Sequence, residues 1–224
     1  MDGVRSRLVD STAPSDPAGV VLVLHGGGAR PGSVDVSPAQ LSVLRMVPVA
    51  TRLARAGRGR LAVLRLLNST RGWGTRPSPV DDARWALGQV RERFGADRPV
   101  ALVGHSLGGR AALLAADDPA VRSVVGLATW LGPADPVGPV DGRDVLLVHG
   151  DADRVASVDR VRAAANGLGR RSGLVTVRGG SHSMLRHHAA FDGLAARWVA
   201  SSLLGDQPGA VLARVLAGER EVDL

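Results

Sequence analysis

Short apolar runs of strand length alternate along the chain with longer segments whose apolar residues recur every three or four positions. The runs are rich in Val and Leu and carry few polar residues, as expected of strands that are buried on both faces of a sheet. They cover residues 20–24, 61–67, 99–103, 121–127, 145–148 and 174–177. The run at 174–177 is expected to be the last strand, and a weaker run at 4–9 predicts an early edge strand followed by a loop to residue 19.

Segments with helical spacing occupy the intervals between these runs. The pattern predicts helices at 41–56, 81–94, 107–114, 161–168 and 184–203, and one more short amphipathic helix in the tail at 208–224. This alternation predicts an α/β fold with a mostly parallel central sheet and helices on both faces. A length of 224 residues is sufficient for one domain with a sizeable core, and we expect residues 1–224 to form a single domain.

The motif Gly104-His105-Ser106-Leu107-Gly108 joins the apolar run at 99–103 directly to an Ala- and Leu-rich segment that favours a helix. A serine at such a strand-to-helix turn can take a strained backbone conformation that exposes its hydroxyl. Glycines on either side are needed because a side chain there would collide with the neighbouring strand or helix. The unpaired N–H groups at the start of the following helix also favour negative charge above the serine.

Three further segments follow strand-like runs in the same way. They read H-G-G-G at 25–28, H-G-D-A-D-R-V at 149–155 and G-G-S-H at 179–182. Together with the motif around Ser106, they resemble the α/β-hydrolase superfamily. The resemblance is to small uncapped serine hydrolases of the esterase and dienelactone-hydrolase-like branch that use a serine nucleophile.

The resemblance implies a catalytic triad of Ser106, Asp153 and His182, in the chain order Ser, Asp, His of α/β-hydrolases. In such a triad the imidazole takes the serine proton during attack on a carbonyl carbon, and the carboxylate fixes the imidazole tautomer. Asp151, two residues earlier in the same segment, is the alternative acid.

The resemblance also implies an oxyanion hole formed by backbone N–H groups of Gly27 and Leu107, with Gly28 as the second choice in the loop. An ordinary Gly-rich turn at 25–28 is the alternative interpretation. Trp73, in the R-G-W-G segment at 71–74, and Trp130 are candidate substrate-binding residues, although Trp73 could equally cap the core.

The interval between the runs at 121–127 and 145–148 is short. Members of the superfamily usually carry their cap or lid insertion at this point, so the resemblance implies a site without a cap. Loops at 129–133 and 33–39 are then expected to shape the opening.

The composition bears on the expected partners, metal sites and location. The formal net charge is +7, but every basic residue is Arg, and the arginines are scattered among acids, which does not favour nucleic-acid binding. The absence of Cys excludes disulfides and thiolate metal sites, and the adjacent His187 and His188 are interpreted as helix residues, so no metal or cofactor is expected. Residues 1–19 lack a secretory signal and no apolar run could span a bilayer, which favours a cytoplasmic location.

These observations favour a serine hydrolase that cleaves a small carboxylic ester or thioester through an acyl-enzyme on Ser106. A serine nucleophile, with no Tyr or Lys in the chain, disfavours haloalkane dehalogenases, epoxide hydrolases and lysine-dependent hydroxynitrile lyases. An acyltransferase or a perhydrolase would use the same triad, and a non-catalytic ligand-binding protein could share the fold. The sequence leaves the substrate groups and the oligomeric state open.

Overall fold

An eight-stranded β-sheet forms the centre of the protein. The computed structural model describes residues 6–28, 35–73, 78–133, 135, 140 and 142–224. The strands lie in the order β1-β3-β2-β4-β5-β6-β7-β8, and among them β1 alone runs antiparallel to its neighbour. They are β1 Arg7–Thr12, β2 Gly19–Leu24, β3 Leu61–Leu67, β4 Val100–His105, β5 Val121–Leu127, β6 Asp144–Gly150, β7 Ser172–Val177 and β8 Glu221–Asp223.

Helices cover both faces of this sheet. They are α1 Leu41–Leu44, α2 Met46–Gly57, α3 Pro79–Phe94, α4 Leu107–Leu114, α5 Val158–Gly167, α6 His188–Leu204 and α7 Ala210–Leu216. Within β2, Val21 and Val23 pack with α2, α6 and α7, while Leu22 faces the opposite cluster with α3, α4 and α5. Because successive strand residues point to opposite faces, a strand between two helical layers must be apolar at every position. The predicted architecture, an α/β fold with a mostly parallel central sheet and helices on both faces, is confirmed.

The predicted helix at 41–56 is wrong in one respect, because the structure divides it at Arg45 into α1 and α2. Pro48 explains the break: it has no N–H to donate to the carbonyl four residues earlier, at Leu44, and its ring crowds that carbonyl. The apolar periodicity continues across the break, so spacing alone did not reveal it. Arg45 at this point is buried and points into the molecule.

The C-terminal tail is not wholly helical as predicted. After α7, residues Glu221–Asp223 form β8, which pairs in parallel with β7, so the strand at 174–177 is not the last one. Only Val222 of β8 is buried. A three-residue edge strand of this kind presents no apolar run, and the sequence pattern therefore could not identify it.

Several boundaries also differ from the predictions. Helix α5 spans Val158–Gly167 rather than 161–168, because Ser157 caps it by accepting from the Arg160 N–H, and β6 and β7 extend beyond the predicted runs. The edge strand β1 lies at Arg7–Thr12 rather than 4–9, and residues 4 and 5 lie outside the described residues. Helix α3 begins at Pro79, two residues before the predicted start. Helix α6 begins at His188 rather than residue 184, because Met184 has a φ of 60°, which a right-handed helix cannot contain.

The segment between β5 and β6 contains no helix or strand among its described residues, 128–133, 135, 140 and 142–143. This agrees with the expectation that no cap domain is inserted there. Across the described part of the chain, none of the helices combines the length and the apolar character that a bilayer crossing requires.

Candidate active site

The turn between β4 and α4 presents Ser106 in an unusual backbone conformation. Its φ is 56° and its ψ is −121°, outside the regions that non-glycine residues normally occupy. The turn is tight enough that a Cβ on Gly104 would lie 2.1 Å from the Gly108 carbonyl oxygen, and one on Gly108 would lie 2.3 Å from the Leu24 carbonyl oxygen. The glycines are therefore required by close backbone approach, as the motif predicts.

Ser106, His182 and Asp153 form a continuous hydrogen-bonded chain. The His182 Nε2 atom lies 3.0 Å from Ser106 Oγ, and its Nδ1 atom lies 2.8 Å from Asp153 Oδ2. Since a carboxylate only accepts, Nδ1 carries the proton, and Nε2 is then the acceptor that faces the serine hydroxyl. The three residues follow the carboxyl ends of β4, β7 and β6, which lie at the same edge of the parallel sheet.

The alternative acid Asp151 lies elsewhere. Asp151 is exposed, and its side chain accepts a hydrogen bond from the Gly179 N–H at 2.6 Å. Among the described residues, the carboxylate that contacts the His182 ring is that of Asp153. The structure therefore brings Asp153, and not Asp151, to the imidazole.

The Asp153 carboxylate is fully buried and accepts hydrogen bonds from several protein groups. Burial alone would raise the pKa of this carboxyl, but N–H donors of Ala156 and Val155, at 2.9 and 2.8 Å, and the His182 ring outweigh it. The net result is a pKa below the ordinary value for Asp. Asp153 is therefore held as a carboxylate, the form that can orient His182.

Two buried histidines support this chain, and sequence reasoning did not assign them a role. His149, at the end of β6, donates from Nε2 to the Ala156 carbonyl and lies 3.3 Å from Asp153 Oδ2. Burial lowers the pKa of His149, so it remains neutral beneath the carboxylate. The only sequence signal was its place in the H-G-D-A-D segment.

His105 supports His182 from the other side. Its Nε2 atom donates to the His182 carbonyl at 2.9 Å, and the two rings are 5.1 Å apart. Burial lowers the pKa of His105 to about 4, with smaller contributions from neighbouring groups. His105 is therefore a neutral donor that fixes the main chain of His182.

Arg45, at the break between α1 and α2, holds the next carbonyl in the same loop. Its Nε donates to the Ser183 carbonyl at 3.0 Å, and its Nη2 forms a buried ion pair with Asp192 of α6 at 2.8 Å. Consecutive carbonyls at 182 and 183 are thus held by two buried side chains. No motif pointed to Arg45, which is distant from both residues in sequence.

The Gly-rich loop after β2 lies directly against the serine. A Cβ on Gly26 would be 2.9 Å from Ser106 Cβ, while Gly27 has a φ of 123° and lies against Gln40 and Ser42. His25 fixes the loop because its Nδ1 donates to the Gly26 carbonyl at 2.7 Å and its Nε2 accepts the Asn68 N–H at 3.2 Å. The loop is therefore a defined structure beside the serine.

A cleft of about 370 Å³ opens over Ser106, and we refer to it as the tryptophan cleft. It is lined by Gly28, Trp73, Ser106, Leu107, Arg110, Trp130 and Val155. Both predicted tryptophans and the second-choice glycine therefore share one cleft with the serine. Gly74, the last residue of the R-G-W-G segment, lies outside the described residues, as do 33 and 34 of the predicted loop at 33–39.

Arg110 was not predicted, and it organises this cleft. Its guanidinium carbon lies 4.0 Å from the Trp73 ring centroid and 5.4 Å from that of Trp130. Its Nε donates to Asp135 at 2.9 Å, and Asp135 also accepts the Gly132 N–H at 2.6 Å. The arginine thus joins both rings to the loop after β5.

A second cleft of about 450 Å³ opens on the imidazole side, and we refer to it as the leucine cleft. It is lined by Leu41, Ser42, Leu44, Arg45, Pro48, His105, His182, Ser183 and Leu185. Its apolar residues come from α1, the start of α2 and the loop before α6. Ser106 lines the tryptophan cleft and His182 lines the leucine cleft, so the hydrogen bond between these two side chains connects the clefts.

The protein combines a mostly parallel sheet, helices on both faces, and a hydrogen-bonded Ser, His and Asp at the carboxyl ends of the strands. This combination is typical of α/β hydrolases. Residues 19–208 match the family model described as the alpha/beta hydrolase fold. The chain therefore belongs to the α/β-hydrolase fold family. No protein of curated function matches it in sequence.

Solved structures show the same fold at low sequence identity. An α/β serine hydrolase homologue from Coxiella burnetii is 18% identical, with a TM-score of 0.64 over 86% of this chain and 89% of its own. A serine hydrolase without a lid from Xanthomonas campestris is 19% identical, with a TM-score of 0.61 over 87% and 94%. Est1E from Butyrivibrio proteoclasticus is 14% identical, with a TM-score of 0.65 over 92% and 97%. At these identities, the likeness concerns the fold.

Proposed function

We propose that this protein is a serine hydrolase that cleaves a small carboxylic ester or thioester through an acyl-enzyme on Ser106. The observation that carries the proposal is the hydrogen-bonded chain from Asp153 through His182 to Ser106 Oγ, with distances of 2.8 and 3.0 Å. Membership of the α/β-hydrolase fold family supports it, as does the likeness in fold to the esterase domain of a Rhodothermus marinus protein, at 17% identity and a TM-score of 0.64.

The reaction begins with proton transfer from Ser106 to His182. The Nε2 lone pair accepts the hydroxyl proton as Oγ attacks the carbonyl carbon, and the Asp153 carboxylate stabilises the imidazolium that forms. The imidazolium then gives the proton to the departing alcohol or thiol, which leaves an acyl group on Oγ. Water then attacks the acyl-enzyme while His182 accepts its proton, and the carboxylic acid is released as Ser106 regains its proton.

The negative charge on the tetrahedral intermediate needs backbone donors close to Ser106. The N–H of Leu107, at the first position of α4, and the N–H of Gly27 are the proposed donors, with Gly28 as the alternative in the same loop. A donor of this kind contributes on the order of 3 kcal/mol to transition-state stabilisation. The anchoring of the loop by His25 supports this role, because preorganised donors need no rearrangement during the reaction.

Turnover of p-nitrophenyl acetate by the wild type and Ser106→Ala tests the proposal. We expect the substitution to lower kcat by a factor on the order of 10⁴ to 10⁶. Equal turnover by both proteins would contradict it. Product analysis with added alcohol or hydrogen peroxide separates the related activities, since an acyltransferase or a perhydrolase would transfer most of the acyl group to the added nucleophile.

A further inference from the structure

The leucine cleft has no role in the chemistry described above, although it opens on the reacting imidazole. We propose that it binds the unbranched aliphatic alcohol or thiol portion of the substrate, while the tryptophan cleft holds the acyl portion. This inference rests on the proposed function and deepens it, because it gives each cleft one side of the scissile bond.

The orientation of the substrate across the two clefts follows from the catalytic group that lines each of them. After the first half-reaction the acyl group stays attached to Ser106 Oγ, and Ser106 and Leu107 line the tryptophan cleft. The departing group must instead lie within reach of the proton on His182, which lines the leucine cleft. The bond that breaks therefore lies between the clefts, with the leaving group on the imidazole side.

The apolar character of the cleft indicates an aliphatic group. Leu41 is 84% exposed, Leu185 is 65% exposed and Leu44 is 46% exposed, and the three surround one opening. Clustered apolar side chains that stay in contact with water are unfavourable unless something covers them. An alkyl chain in the cleft would remove this surface from water next to the reacting group.

Most of the polar groups that line the cleft have hydrogen-bond partners, and the charge of Arg45 is paired. Arg45 donates to Asp192 and to the Ser183 carbonyl, and His105 donates to the His182 carbonyl. The Ser42 hydroxyl accepts from the Gln40 amide at 2.6 Å. Arg45 Nη1 and His105 Nδ1 have no hydrogen-bond partner among the described residues, but both atoms are buried away from the cleft surface. Because the Arg45 charge is compensated by Asp192, the cleft offers no unpaired charge to an ionic alcohol, and its exposed leucines favour an alkyl chain.

Rates of hydrolysis of n-alkyl acetates, from methyl to octyl, test the proposal on the wild type. Each methylene that enters the cleft is expected to raise kcat/KM about fourfold, until the cleft is filled. The gain is expected in the acylation rate, because the alcohol has left before deacylation. A second series, with one alcohol and acyl chains of increasing length, reports on the tryptophan cleft.

Leu185→Ser is the decisive variant, since an exposed side chain can be replaced without disturbing the core. It is expected to flatten the alcohol series and to leave the slope of the acyl series in place. Val155→Ser, an exposed apolar position in the tryptophan cleft, is expected to leave the slope of the alcohol series in place. Leu224→Ser, which lines neither cleft, is expected to alter neither series.

A flat alcohol series in a wild type that hydrolyses methyl acetate would overturn the cleft assignment and leave the proposed hydrolase intact. A Leu185→Ser protein whose acyl series flattens instead would reverse the orientation and overturn the assignment as well. Absence of turnover for every ester would remove both proposals. Sedimentation velocity gives the last check: a wild-type dimer that Leu185→Ser dissociates would show that a second copy covers the cleft, and would overturn the assignment.

Discussion

At the scale of single residues, hydrogen bonds favour Asp153 over Asp151, two positions earlier, as the proposed triad acid. Asp153 receives His182 and two backbone N–H groups, whereas Asp151 receives the Gly179 N–H on the surface. Both carboxylates follow the same strand, so motif register alone left them as alternatives. The hydrogen bonds distinguish them.

Asp153→Asn is therefore expected to lower kcat by a factor on the order of 10⁴, because an amide can hold His182 in the wrong tautomer. Asp151→Asn is the matched control and is expected to change kcat by less than about threefold, since Asp151 contacts the Gly179 N–H rather than the imidazole and an amide oxygen can still accept that hydrogen bond. Initial rates on p-nitrophenyl acetate provide the comparison. The reverse ranking of the two variants would refute the assignment of Asp153.

The sequence predicted the residues that carry local motifs and missed those that act over long separations. Ser106, His182 and Asp153 each occur in a short segment after an apolar run, so pattern and resemblance located them. Arg45 contacts Ser183 and Asp192, which are more than one hundred positions away, and Arg110 reaches Trp73 only through the fold. Such partners depend on tertiary packing, which no local pattern encodes.

At the scale of secondary-structure elements, the strand-to-helix turn at Ser106 depends on backbones that nearly touch. A Cβ on Gly108 would lie 2.3 Å from the Leu24 carbonyl oxygen of β2, whereas one on Gly88, in the middle of α3, would meet nothing within 4 Å. The two glycines therefore form a natural pair for substitution.

Gly108→Ala is expected to lower the free energy of unfolding by about 3 kcal/mol, because a methyl group cannot fit against a strand backbone. Gly88→Ala is expected to raise it by about 0.5 to 1 kcal/mol, since alanine favours the helix. Urea denaturation at neutral pH measures both. A Gly108→Ala protein as stable as the wild type would show that the turn is looser than described.

The break between α1 and α2 places Arg45 where it can hold the loop of His182. We expect Arg45→Met to lower kcat about tenfold with little change in KM, because the Ser183 carbonyl loses its donor and the imidazole is less well positioned. It also leaves Asp192 buried without a partner, which costs about 3 to 5 kcal/mol of stability.

The double variant Arg45→Met with Asp192→Leu separates these two effects. Removing both charges is expected to restore most of the stability, since the pair itself adds little net free energy. The kcat is expected to remain low, because the donor to Ser183 is still missing. Full recovery of kcat together with stability would show that Arg45 has only a structural role.

The elements that the sequence missed share a physical cause. Pro48 interrupts a helix whose apolar spacing continues unchanged, and β8 is a short strand with a single buried residue, Val222. In both cases the pattern of apolar residues did not indicate the element, because backbone hydrogen bonding rather than burial determines where the helix breaks and where β8 pairs. The long buried strands, in contrast, were predictable because two helical layers require them to be apolar.

At the scale of the whole molecule, three buried histidines make the stability depend on pH. Burial lowers the pKa of His25, His105 and His149 in the folded protein below the ordinary value. The unfolded chain therefore binds more protons than the folded protein as the pH falls below about 6.5. The free energy of unfolding must fall over this range.

The contribution of His105 alone is on the order of 3 kcal/mol, present above about pH 6.5 and lost as the pH falls to about 4. Urea denaturation between pH 7.5 and 4.5 is expected to show this loss. His105→Gln keeps a donor for the His182 carbonyl but cannot titrate, so its stability is expected to fall less steeply. An equal slope in both proteins would contradict the assignment of the neutral form to His105.

The parallel sheet is what brings the candidate site together. Strands β2, β4, β6 and β7 end at one edge, and the loops that follow them carry the Gly-rich segment, Ser106, Asp153 and His182. The described residues of the short connection after β5 form no helix or strand over this edge. The central claim that follows from this arrangement is that Ser106 is an activated nucleophile.

Labelling with a fluorophosphonate, followed by mass spectrometry of the intact protein and its peptides, tests that claim most directly. The account predicts one phosphonyl group on Ser106 in the wild type, none on a folded Ser106→Ala protein, and much slower labelling of His182→Ala. A folded wild type that stays unlabelled, or labels equally well after Ser106→Ala, would contradict the account.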